Sequence, residues 1–72
     1  MAELTVKDIQ PRAQEALQAS PIFALREVRV EQTGESLLLS GRVSSFYHKQ
    51  LAQEVVRAVA NGVEVVNTID VR

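Results

Sequence analysis

The chain contains no cysteine and no tryptophan, and only three glycines and two prolines. Without cysteine there can be no disulfide scaffold, iron–sulfur site or zinc finger. Aromatic rings are as scarce, limited to Phe23, Phe46 and Tyr47. Neither sign of charge dominates: eight Lys and Arg face nine Asp and Glu, for a formal net charge of -1. That balance argues against a general binder of nucleic-acid phosphates, which shows a basic excess or stripe. No run approaches the ~18 apolar residues of a membrane-spanning helix. The segment Met1–Asp8 has an early acidic residue and no apolar core, so it does not read as a secretory signal. The expectation is a cytoplasmic protein if the chain is full length, and a periplasmic one if it is an excised or mature domain.

What is present is a 72-residue chain that is 46% apolar, too apolar for disorder and long enough for one domain. Residues 1–7 read as a lead-in and 8–72 as the domain. The spacing of Ile9, Ala13, Ala16 and Leu17 predicts a helix over 9–19. Pro11 argues for a start at Asp8, or at Gln10, since a start at Thr5 would place the proline in the second turn. Ser20-Pro21 ends this helix. Of Ile22, Phe23 and Leu25, at least two are expected to close the open end of the core. Alternation over Arg26–Glu31, with Val28 and Val30 on one face, predicts a strand. Gly34 turns it into a partner strand over Ser36–Val43. Leu37, Leu39, Gly41 and Val43 share that strand's inner face, so Gly41 is expected to face the helices. Leu38, Ser40 and Arg42 point the other way.

Ser44 or Ser45 caps a second helix over about 46–60, with Ala52, Val55, Val56 and Val59 inward and Phe46, Leu51 and Ala58 at the flanks. His48, Lys49, Gln53, Glu54 and Arg57 fall on its wet side. Asn61-Gly62 stops it through a left-handed cap, and Val63–Arg72 reads as a last strand with Val65, Asn67, Ile69 and Val71 on one face. The order α-β-β-α-β gives an α+β fold with two helices on one face of a three-stranded sheet. The last strand can lie beside the second, making the sheet mixed, or beside the first.

The residues argue against an enzyme. His48 is the only histidine, and Ser44 and Ser45 beside it have an obvious task in capping the helix amides. The carboxylates are scattered over separate elements, and Gly34, Gly41 and Gly62 form no phosphate-cradling loop. Neither a metal nor a cofactor is expected. Two surfaces stand out instead. At Ser45, Phe46, Tyr47, His48 and Lys49, adjacent rings meet cationic side chains at a helix N-terminus, a chemistry suited to a phosphate headgroup. Phe46 is expected to plug the core there, with Tyr47 half-buried. Leu38, Ser40, Arg42 and Val66 form the outer face of the sheet, suited to a partner protein or a weak dimer. The corner Ser20–Phe23 reads mainly as core closure. A nucleic-acid module of the KH type is contradicted by the absence of a G-x-x-G loop.

The stretch V-R-V-E-Q-T-G-E-S-L-L-L-S-G-R-V-S-S from Val28, the helix containing Gln50-Leu51-Ala52, and N-G-V-E-V-V-N-T-I-D-V from Asn61 together resemble the BON domain family. Leu39–Val43 resembles its L-x-G-x-V strand with Gly41 as the typical glycine, and Gly62-Val63 resembles its G-V. Asn67, Ile69 and Val71 resemble its closing N-x-I-x-V, and Ala16-Leu17 the A-L of its first helix. The resemblance spans about residues 8–71 and implies a mixed sheet with the last strand beside the second. It implies a non-catalytic binding module, contacting anionic phospholipid or a membrane-proximal partner, with protein–protein contact or self-association as the alternative. The structural positions are Gly41, Gly62 and Asn67 by this resemblance, and Gly34 by its place in the hairpin turn. Val63, Val65 and Val66 admit two registers for the start of the last strand.

Overall fold

The computed structural model describes residues 5–72; the first four positions of the expected lead-in lie outside the described residues. Helix α1 runs Val6–Gln18 and is followed by a short 3-10 helix, Phe23–Glu27. Strands β1 (Arg29–Thr33), β2 (Ser36–Ser40) and β3 (Arg42–Val43) come next, then α2 (Phe46–Ala60), β4 (Glu64–Asn67) and β5 (Asp70–Val71). The sheet order is β1-β2-β4, with β1 antiparallel and β4 parallel to β2. The sheet is therefore mixed, with the last strand beside the second.

The core is aliphatic. Ile9, Ala13 and Leu17 of α1, Ala52, Val56 and Ala60 of α2, and Val30, Leu37 and Leu39 of the sheet are buried, with Leu25, Val28, Val43 and Ile69 closing it. Both helices therefore present their apolar stripes to one side of the sheet, as the periodicity requires. Val55 and Val59 pack at its margin, whereas Ala58 is exposed. The hairpin forms where expected. Gly34 has φ +61° and is the first of the two residues between Thr33 and Ser36, the position at which a type II′ turn demands a positive φ. At the far end of α2, Asn61 takes the left-handed conformation at φ 52°.

Four expectations are corrected. Helix α1 begins at Val6, not at 9, and Thr5 caps it in spite of Pro11. The Thr5 hydroxyl accepts from the Asp8 amide, and the Asp8 carboxylate accepts from the Thr5 amide at 3.0 Å, so two otherwise unpaired donors are satisfied. Val6 also packs against the core. Pro11 leaves the Lys7 carbonyl without its helical donor, but both residues are exposed and water can serve that group.

The second correction concerns residues 26–27, which belong to the 3-10 helix, so β1 starts at Arg29. Ser20, buried, holds this corner: its hydroxyl accepts from the Ile22 amide and its carbonyl from Arg26 Nε. Leu25 is then driven fully inside, Ile22 packs at its flank, and Phe23 is left outside.

Third, the strand expected over 36–43 breaks at Gly41, whose φ is +131°. The last strand breaks at the same level, between Asn67 and Asp70. Beyond the break β3 pairs with β5 in a second, two-stranded parallel sheet, joined by bonds from the Asp70 amide to the Gly41 carbonyl and from Arg72 to Val43. Gly41 does not face the helices. A Cβ there would make ordinary contact with the backbone of Glu27 and Val28, and what reserves the place for glycine is the dihedral angle. Fourth, Phe46 does not plug the core; it is exposed, like Tyr47.

Candidate functional site

None of the three aromatic residues takes part in the core. Phe23 is 71% exposed, Phe46 75% and Tyr47 67%. For large apolar side chains in so small a core this is costly exposure, each ring forfeiting on the order of 2 kcal/mol of burial. All three stand at one end of the molecule. The 3-10 helix carrying Phe23 packs against α2 and β3, and β3 runs directly into the start of α2, where Phe46 and Tyr47 lie.

A serine cap fixes this arrangement locally. The Ser45 hydroxyl accepts from the His48 amide at 3.2 Å, which sets the first turn of α2 and splays Phe46 and Tyr47 away from the core. Tyr47 rests on the His48 ring at a centroid distance of 5.6 Å. His48 is half-buried, and its Nδ1 has no hydrogen-bond partner among the described residues. Arg26 lies over the Phe23 ring, 5.6 Å from its centroid.

Cations gather at the same end. Arg72 Nε donates to the Asp70 carboxylate at 2.9 Å. That bond holds the Asp70 carboxyl below the ordinary carboxylate range, and the positive charges of Arg72, Arg42 and Lys49 lower it further. Arg72 thus bonds this carboxylate, and Arg42 and Lys49 are close enough for their charges to act on it. The β3–β5 pairing creates the cluster by setting Arg42 opposite Asp70.

The structure divides the other expected surface. Leu38 and Val66 are paired neighbours on the outer face of the sheet, Leu38 half-buried and Val66 40% exposed, with Glu31 on the far side of Leu38. Ser40 lies on the same face beside Arg29, but Arg42 has left this sheet for the second one. Asn67 has a positioning task inside the fold. Its Nδ2 donates to the Lys49 carbonyl and to Gln53 Oε1, and its Oδ1 accepts from the Ile69 amide. Gly62 follows the cap of α2 with φ +86° and Gly34 makes the hairpin turn, so both are structural.

Sequence reasoning missed Phe23, Arg26, Arg72 and Asp70 as neighbours of the Ser45–Lys49 surface. One signal was available: Phe23–Arg26 and Phe46–Lys49 repeat the same spacing, a ring three residues before a cation. Among the described residues no three His, Cys, Asp or Glu side chains could hold a metal ion, and no helix is long and apolar enough to cross a membrane.

The family model for the BON domain matches residues 5–72. No curated protein matches the chain. With nearly its whole length matched, the chain belongs to the BON domain family, a binding module of α+β fold.

Proposed function

We propose that this BON domain docks reversibly on anionic phospholipid surfaces through the end of the molecule at which α2 begins. The observation that carries the reading is the gathering of all three exposed rings with a cluster of cations. Phe23, Phe46 and Tyr47 offer apolar area to the headgroup–acyl boundary, and Arg26, Arg42, Lys49 and Arg72 offer charge to the phosphates. Each cation near an anionic bilayer contributes about 1 kcal/mol. With Asp70 and Glu27 opposing, the net attraction is that of a few charges, a reversible attachment rather than a permanent anchor.

The test is an amide NMR titration of the labelled protein with phosphatidylglycerol vesicles, repeated with phosphatidylcholine. Broadening confined to Phe23–Arg26, Arg42–Lys49 and Asp70–Arg72, present only with the anionic lipid and weakened by salt, is the expected result. An unchanged spectrum, or an equal response to both lipids, would remove the lipid reading.

A second reading is favoured by the Leu38–Val66 pair on the outer sheet face: self-association or contact with a partner protein. Sedimentation at rising concentration tests the self-association version, and a constant monomer mass would exclude it.

A further inference from the structure

The sheet has two edges, and side chains of α1 cover the outward groups of Val30 on one of them. On β4, the Thr68 amide that follows the strand donates to the Leu39 carbonyl of β2. In this parallel register Glu64, Val66 and Thr68 therefore turn their backbone groups toward β2, and Val65 and Asn67 turn theirs outward. Among the described residues nothing pairs with those outward N–H and C=O groups. Beside them runs a groove of about 390 Å³ between the strand and α2, lined by Gln53, Arg57, Ala60, Val63 and Val65.

We propose that this open edge takes up an extended acidic segment of a partner protein as a fourth strand. Backbone pairing to Val65 and Asn67 gives the attachment, and alternate side chains of the incoming strand give the selectivity. Those pointing to the helix side meet Lys49, Gln53 and Arg57, spaced four apart on α2 and so in one row. Arg57 makes no ion pair among the described residues. Gln53 has its Oε1 occupied by Asn67, which leaves its amide donors for an acceptor. Glu64, the carboxylate on the groove's rim, turns to the outer face with Val66, where the Ser36 hydroxyl donates to it at 2.6 Å. The row thus presents cations and donors, which complement carboxylates. Side chains on the opposite face of the incoming strand extend the aliphatic row Leu38–Val66. The segment is therefore one that alternates acidic and aliphatic residues. A second copy docked on this edge about a two-fold axis would set the cationic rows of two α2 helices against each other.

The experiment titrates the labelled full chain with the blocked hexapeptide Glu-Val-Glu-Val-Glu-Val and, separately, with its Lys-for-Glu counterpart. The expected result is a downfield shift and slowed exchange of the Val65 and Asn67 amides, without change at Val30. The lysine peptide should bind at least about tenfold more weakly, and Arg57→Glu should weaken the acidic peptide by about tenfold. Arg57 is exposed, so the variant should melt like the parent, and it lies outside the ring-bearing end, so vesicle binding should be unaffected. Val65 and Asn67 amides unmoved at millimolar peptide, equal binding of the two peptides, or protection of these amides by protein concentration alone would each overturn the proposal.

Discussion

Each edge strand of the sheet is tied to a helix by a side-chain amide, but the two ties run in opposite directions. On the β1 side the amides belong to the helix. Gln14 Oε1 accepts from the Val30 amide and its Nε2 donates to the Val28 carbonyl, while Gln10 Nε2 donates to the Val30 carbonyl at 2.7 Å. The hairpin register turns Val30 and Gln32 outward, so these two glutamines occupy both groups of Val30 and leave only those of Gln32 for another strand. On the β4 side the amide belongs to the strand. Asn67 reaches back to the Lys49 carbonyl and leaves the strand's outward backbone groups unpaired. The same kind of bond therefore guards one edge and merely fastens the other. A tie between helix and strand protects an edge only when it terminates on the strand's outward backbone.

The sharpest way to break this contrast is Gln14→Leu. It strands the part-buried Val30 amide and Val28 carbonyl, and should lower stability by about 2–3 kcal/mol in a urea melt. It should also make the protein associate as concentration rises. Unaltered monomer mass would mean that Gln14 fastens α1 and guards nothing. The mirror experiment, Asn67→Ala, should cost about 1–2 kcal/mol through the lost bonds to Lys49, Gln53 and Ile69. Sedimentation should show no new association, because the outward groups of β4 are already open.

Next in size is Thr5→Ala, which removes the cap of the helix that carries the guarding glutamines. A loss of about 1 kcal/mol is expected, with faster amide exchange at Val30 and none of that change in β4. The cap also has a pH signature. The Asp8 carboxyl is held below its ordinary range by hydrogen bonds from the Thr5 amide and hydroxyl. A depressed folded value means that its contribution is present above the ordinary carboxylate value and fades as pH falls through the folded one. Acid melts of Thr5→Ala should show a smaller final decline, because the backbone amide at position 5 still donates to the carboxylate. The smallest effect belongs to Val66→Thr, on the exposed face of the open strand, where a change within about 0.5 kcal/mol is expected. A larger loss would show that Val66 is covered in solution.

How much of this was legible in the sequence follows from how local each determinant is. The hairpin at Gly34, the Ser45 cap, the Asn61-Gly62 stop and the inward valines of α2 are set by residues a few positions apart, and periodicity and turn chemistry locate them. The start of α1 was misread because Pro11 was weighed alone, whereas the capping box of Thr5 with Asp8 and the packing of Val6 act together against it. The strand breaks at Gly41 and after Asn67 are matched to each other across the sheet, so neither is apparent from its own neighbourhood. For the site, the exposed cluster at Ser45–Lys49 was visible as composition. Its cations Arg42 and Arg72 are brought there by a strand pairing about 28 residues apart, and the glutamine guard of β1 bridges 14 to 20 residues. Contacts at such separations have no signature in local pattern.

The exclusion of every ring from the core has an optical consequence. Tyr47 is the only strong absorber near 280 nm in a chain without tryptophan, and it is exposed at the ring-bearing end. Its fluorescence should respond weakly to denaturant, since the side chain is wet in both states, yet strongly to anything that covers that end. The domain carries its chromophore where it would touch a surface and has none where it folds, so intrinsic emission reads docking almost free of unfolding.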